Sequence, residues 1–178
     1  YEGPRDPTIT GRCGNVFSFK NFKLNVFITY SAGNKVRLEP EFSSKYNDLD
    51  ATPKDFKNRW MIPGDEKVTD IPVIPSARDN NKYGNLKTGY NAYNYSDVRI
   101  ADGGFVRMKE ISLSYDFPQT MLGSQKLLKA LSLKVQGTNL FLIYSDSKLN
   151  GQDPEFFNSG GVAAPVPKQF TFTVRASF

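Results

Sequence analysis

Alternation with period two runs through five stretches of the chain. They are TGRCGNVFSF (Thr10 to Phe19), FKLNVFITY (Phe22 to Tyr30), VRMKEISLSYDF (Val106 to Phe117), LSLKVQGTNLFL (Leu131 to Leu142) and KQFTFTVRASF (Lys168 to Phe178). Alternation over such lengths predicts strands with one apolar face and one polar face. In the last stretch Phe170, Phe172, Val174, Ala176 and Phe178 share a side, and Thr171, Thr173, Arg175 and Ser177 share the other. Only Lys20 and Asn21 separate the first two stretches, so a tight hairpin should set Phe19 opposite Phe22.

Charge tests the two faces. Lys23 and Asn25 oppose Phe22, Leu24, Val26 and Ile28, while Lys134 and Gln136 oppose Leu131, Leu133 and Val135. Glu110, Ser112, Ser114 and Asp116 oppose Ile111, Leu113, Tyr115 and Phe117, and Arg175 lies on the threonine side of the last strand. Five residues depart from the pattern. Arg107 and Lys109 have the parity of the apolar face, Phe27 has that of the polar face, and Gly137 and Asn139 thin the apolar face of the fourth strand.

The connections are unequal in length. Residues 31–105 form a very long one and 143–166 a moderately long one, whereas the third and fourth strands are joined by the compact PQTMLGSQKLLKA. Prolines and glycines interrupt the long connection often enough to make an extended helix improbable. Inside a compact soluble domain such a loop would count against the assignment. In an outer-membrane barrel, long external loops and short periplasmic turns are the rule.

Alternation alone leaves a soluble β-sandwich and a membrane barrel level, because both have two unlike faces. Three features favour the barrel. The polar face is rich in Thr, Ser, Asn and Gln, the loop lengths are lopsided, and the final residue is an aromatic on the apolar side.

Composition adds exclusions. Aromatics reach 13%, mostly Phe and Tyr, which favours strands. The net charge of +5 comes from scattered residues without a basic run, so nucleic acid is not an expected partner. The chain has no histidine and one cysteine, Cys13. Serine–histidine and cysteine–histidine catalysis and the common zinc sets are therefore closed to it, and neither an enzyme nor a cofactor is expected. No apolar run is long enough for a transmembrane helix. The opening YEGPRDPTIT reads as the middle of a chain.

Two carboxylate pairs are acid–base or calcium candidates by composition, Asp65 with Glu66 and Asp153 with Glu155. Beside Gly64 and Pro154 they read as turns, with DPE anchoring an external loop. Gly33, Gly103 and Gly104 mark turns at strand ends; no strand–loop–helix frame makes a phosphate cradle of them. Aromatic residues in the long connection, Trp60, Tyr90, Tyr93 and Tyr95, are the candidates for contact with a substrate or a lid protein. The plainer reading is that Trp60 stabilises the loop's own fold and the tyrosines pack locally.

Several passages together resemble the C-terminal end of the SusC/RagA family, the TonB-dependent outer-membrane transporters of Bacteroidota. They are DGGFVRMKEISLSYDFP (Asp102 to Pro118), LKVQGTNLFLIY (Leu133 to Tyr144), NGQDPEF (Asn150 to Phe156) and PVPKQFTFTVRASF (Pro165 to Phe178). Upstream, PTITGRCGNVFSFKNFKLNVFITYSAGNKV (Pro7 to Val36) and RWMIPGD (Arg59 to Asp65) have the same look. The resemblance implies an all-β chain of antiparallel up-and-down strands, the last five of a large, 22-stranded transmembrane β-barrel. Strands near 10–19, 22–30, 106–117, 131–142 and 168–178 would carry extracellular loops 31–105 and 143–166. The plug domain and its TonB-contacting segment have no counterpart in the chain.

The same resemblance implies an importer of oligosaccharides, or in some members oligopeptides, in the outer membrane. Its partners would be a SusD-like surface lipoprotein as lid, the rest of the barrel and its plug, TonB through the missing N-terminal region, and outer-membrane lipid. Lys23, Asn25, Lys134, Gln136, Thr173 and Arg175 would face the lumen, and Phe178 would serve as the C-terminal assembly signal. The alternative is a soluble, secreted β-sandwich that binds carbohydrate through the same aromatic loops.

Overall fold

A computed structural model describes residues 1–41, 52–122, 128–157 and 166–178. Expectations for the rest of the connections, including most of GSQKLLKA and the residues just before Pro165 and Val166, lie outside the described residues.

One antiparallel sheet of five strands dominates. Its strands are β1 (Ile9–Phe19), β2 (Phe22–Ala32), β5 (Phe105–Asp116), β6 (Ala130–Ser145) and β7 (Gln169–Ser177), in that spatial order. A second, two-stranded sheet pairs β3 (Lys35–Arg37) with β4 (Ile100–Asp102). Each long strand pairs with its neighbour in sequence among the long ones, so the sheet is an up-and-down meander. The turns at Lys20-Asn21 and after Asp116 lie at one end, and both long connections lie at the other.

The register carries the alternation across strands. Phe19, Phe22, Tyr115, Leu133 and Val174 form one paired row; Phe17, Leu24, Leu113, Val135 and Phe172 form the next. On the opposite face run Ser18, Lys23, Ser114, Lys134 and Thr173, then Val16, Asn25, Ser112, Gln136 and Thr171. Paired positions in a sheet point the same way, so each row belongs wholly to one face. Toward the hairpin end Tyr115 packs on Phe22 with ring centroids 4.6 Å apart and meets Phe117 edge-on at 4.9 Å.

The departures from alternation have local physical causes. Phe27 pairs with Glu110 whereas Ile28 pairs with Met108, so Lys109 is an inserted bulge residue. A bulge of one residue reverses parity beyond it. Met108 thereby joins the apolar face beside Ile28, and Arg107 moves to the polar face beside Thr29. The simple parity assigned to Arg107 from sequence is thus corrected by the bulge.

Phe27 does point to the polar side, and its ring lies against Gly14, where an added Cβ would come within 3.0 Å of it. The gap left at Gly137 is filled by Leu140, whose side chain would be 2.8 Å from a Cβ at that position. Asn139, with φ of 53°, re-aims the strand between them. Asparagine tolerates this left-handed conformation better than most residues.

The buried core sits at the long-loop end, away from the large sheet. Val36, Leu38, Ala101, Leu149 and Phe157 cluster there. The connection holds two short helices, α1 (Ala77–Tyr83) and α2 (Leu86–Tyr95). Ser76 caps α1 by accepting the Asp79 N–H at 3.1 Å while its hydroxyl donates to the Asp79 carboxylate at 2.7 Å. Among the described residues no helix is long and apolar enough to cross a membrane.

Candidate functional site

Two features of the long-loop end stand out: a set of buried ion pairs and an aromatic groove. The first ties the loops together. Arg107, only 2% exposed, donates from its guanidinium to Asp153, which is 1% exposed; its Nε lies 3.2 Å from a Glu155 oxygen. Asp153 also accepts the Glu155 N–H at 3.1 Å, and its carbonyl accepts the Phe156 N–H at 3.1 Å. The DPE segment is therefore a turn, clamped to β5 by the arginine that the bulge brings inward. Leu149 and Phe157, either side of this turn, complete the core with Val36, Leu38 and Ala101.

A second arginine organises the other connection. Arg99 forms an ion pair with the fully buried Glu41, lies 3.8 Å from Asp55, and donates to the Glu39 carbonyl at 2.6 Å. The Glu41 backbone N–H donates to the Asn94 side chain at 3.3 Å. Burial outweighs the attraction of Arg99 and pushes the Glu41 carboxyl up to about 7, with Asp55 adding to the rise.

The groove lies over α2. A depression of about 480 Å³ is lined by Trp60, Asp70, Pro72, Asn85, Leu86, Gly89, Tyr90 and Tyr93. Three of the four aromatic candidates thus meet in one place. Trp60 Nε1 donates to the Thr69 carbonyl at 2.6 Å, the Tyr90 hydroxyl donates to the Val73 carbonyl, and Arg99 lies over the Tyr93 ring at 5.7 Å. Burial raises the phenol pKa of Tyr90, helped by the charge of Asp79; burial likewise raises that of Tyr93, against the pull of Arg99. Tyr95 stands apart, 73% exposed, with Arg37 over its ring at 5.7 Å.

The remaining candidates spread along the sheet. Lys23 pairs with Asp116 at 3.2 Å, and Asn25 donates to Glu110 at 3.2 Å. Lys134, Gln136, Thr173 and Arg175 occupy the same polar face on β6 and β7. Phe178 is exposed, and its carbonyl accepts from Lys129 Nζ at 2.8 Å. Asp65 accepts the N–H groups of Met61 and Ile62 at 2.8 and 3.0 Å, and Glu66 accepts that of Gly64 at 2.8 Å, which makes this pair a turn as well. The Ile62 and Met61 bonds hold the Asp65 carboxyl below its ordinary range. Among the described residues no cluster of acidic, histidine or cysteine side chains could hold a metal.

From the sequence Arg107 stands out only by its parity, and Arg99 and Glu41 carry no mark at all. A bulge has no sequence mark at Lys109, and the partners of both arginines are far away in the chain. The α1 cap was legible: Ser76 followed three residues later by Asp79, with Gly84 beyond the last turn, is a start and stop signal.

No family model matches the chain. Curated proteins do. TonB-dependent receptor P39 of Formosa agariphila is 25% identical over 158 residues, 87% of this chain and 14% of the relative. TonB-dependent receptor P3 of the same organism is 26% identical over 153 residues, 86% of this chain and 13% of the relative. Among solved structures, the RagAB peptide importer in its open-open state superposes over 97% of this chain and 17% of that chain, with a TM-score of 0.63 at 21% identity. The RagAB peptide transporter superposes with a TM-score of 0.64 at 22% identity. The chain is similar to part of a SusC/RagA-type TonB-dependent transporter. It spans about a seventh of the curated relatives' length, and the structural likeness is one of fold. The relatives are receptors and importers by name.

Proposed function

We propose that this segment is a run of five wall strands in an outer-membrane β-barrel importer of the SusC/RagA type. One observation carries the reading: the apolar rows of all five strands are contiguous, uncharged at every paired position and exposed or half-exposed. Phe172 is 78% exposed and Phe170 69%, and among the described residues nothing packs over them. A water-soluble sandwich would need a second sheet on that face. Burying it in hydrocarbon instead satisfies both the apolar side chains and the paired backbone.

The dimensions agree. From Phe22 to Tyr30 the strand runs about 27 Å at ~3.4 Å per residue, which falls to about 21 Å when tilted by ~40°. That is close to the ~25 Å apolar band of outer-membrane barrels. Aromatic residues stand at both limits, Phe19, Phe22 and Tyr115 at one and Tyr30 and Tyr144 at the other. Such girdles sit at the two membrane interfaces. The opposite face, with Lys23, Asn25, Lys134, Gln136, Thr173 and Arg175, would look into a lumen filled by water or a plug. The β1 and β7 edges would pair with the remaining strands of a 22-stranded barrel.

By resemblance, the cargo would be an oligosaccharide or oligopeptide, the lid a SusD-like lipoprotein, and the energy source TonB acting on a plug outside this segment. The test uses the full-length polypeptide that bears the segment. It should sediment with the outer-membrane fraction, leave it only with detergent, and bring a SusD-like lipoprotein through purification. A monomer that is soluble without detergent would overturn the membrane reading; a barrel that purifies without any lid lipoprotein would overturn the importer reading.

A further inference from the structure

We infer that residues 146–157 form an inward-folded loop that narrows the mouth of the lumen and sets the size of cargo admitted, with Arg107 as its positioning residue. The register decides on which side of the wall this segment lies. Beyond the bulge at Lys109, Arg107 pairs with Thr29 and Leu142 on the polar face, and Phe105 pairs with Ser31 and Ser145 on that same face. Tyr30, Phe141 and Tyr144 stand at the same height on the apolar face.

Exposure separates the two sides. Ser31 and Arg107 are 8% and 2% exposed, whereas Tyr30, Phe141 and Tyr144 keep 40%, 51% and 54%. The described connections therefore cover the polar face at this end of the sheet and leave the apolar face bare. A loop splayed the other way would cover the tyrosines and leave Arg107 facing water. Asp153 and Glu155 are what Arg107 meets there, and its guanidinium also lies over the Phe105 ring at 5.6 Å.

The segment is tied a second time, to the small sheet. The Asp146 carboxylate accepts the Asp102 N–H at 2.8 Å, and Lys148 Nζ donates to the Ile100 carbonyl at 3.3 Å. Leu149 and Phe157 pack in the core with Val36, Leu38 and Ala101. A segment fixed by a buried ion pair on one side and by a core on the other opens only by losing one of them. Chain packed on a sheet stands roughly 10 Å from it. On the lumen side, that thickness is taken from the passage.

The lumen rests on the importer reading; the loop's place over the polar face does not. The experiment uses the full-length protein in intact cells, with Cys13 and any other native cysteine replaced by serine. Thr29→Cys puts a thiol beside Arg107 on the polar face. Two membrane-impermeant reagents are added from outside, a small sulfonated maleimide and the same maleimide carried on a long polyethylene glycol chain. The small reagent should label Thr29→Cys and the large one should not. Arg107→Met, which frees the segment, should speed labelling by the large reagent about tenfold or more, and adding Asp153→Leu should return it to the starting rate.

Labelling by the large reagent as readily as by the small one, labelling by the large reagent unchanged in Arg107→Met, or no labelling by either in any variant would each overturn the inference. The comparison of the two reagents with the ion pair intact decides by itself if Arg107→Met does not assemble. Detergent dependence of the same protein is read separately. A membrane-bound protein without size discrimination sinks the constriction alone, and a protein soluble without detergent sinks the importer reading whatever the labelling shows.

Discussion

Arg107 shows how one side chain can hold a loop to a sheet. Both it and Asp153 are buried, so removing either strands the other's charge away from water. Breaking a buried pair in this way costs about 3–5 kcal/mol, whereas replacing both partners with apolar residues is often neutral. Arg107→Met should therefore release residues 146–157, seen as faster amide exchange and new protease cuts there, and Arg107→Met with Asp153→Leu should restore protection.

Glu41 behaves differently, because its folded pKa of about 7 lies above the ordinary 4.5. Between those values the folded loop holds a proton that the unfolded loop has released, so stability falls as pH rises through that window and is lowest above it. Amide protection at residues 36–41 and 93–101 should be higher at pH 5 than at pH 8. In Glu41→Gln the difference should shrink; an equally steep profile in that variant would refute the assignment.

At the scale of the element, the strands are defined by which face each residue takes. Leu113 lies in an uncharged apolar row between Leu24 and Val135, and Ser114 lies one residue on, facing the polar side. In a membrane wall Leu113→Arg should cost about 2–4 kcal/mol and Ser114→Arg little. The check is the fraction of heat-modifiable, folded barrel on a gel after outer-membrane assembly. Equal tolerance of both arginines would argue against lipid on the Leu113 side. The glycines serve the same end: Gly11 and Gly14 give Tyr30 and Phe27 room to lie across a neighbouring strand, an arrangement that covers bare backbone at an edge.

At the scale of the whole molecule, two unlike bodies share one chain. Among the described residues the sheet has no second layer and two unpaired edges, β1 and β7, while the small core belongs to the loop unit. Expressed as this segment alone, the chain should sediment as aggregate without detergent, because its apolar face and open edges would pair with other copies. A sharp monomer peak in analytical ultracentrifugation, in plain buffer, would count against the membrane wall.

The sequence by itself determined the five strands, the meander, the two faces and the ends at which long and short connections fall. These follow from period-two alternation and turn chemistry, which act between neighbours in the chain. It also led to the resemblance, since the matching motifs lie along the strands themselves. Only the tertiary structure decided what the loops do. Arg107 met Asp153, Arg99 met Glu41, and Trp60 met Tyr90 and Tyr93 across long separations in sequence, where no local pattern reaches. The bulge at Lys109 belongs to the same class: register is settled by pairing with β2 and β6, so a residue's face there depended on partners far along the chain.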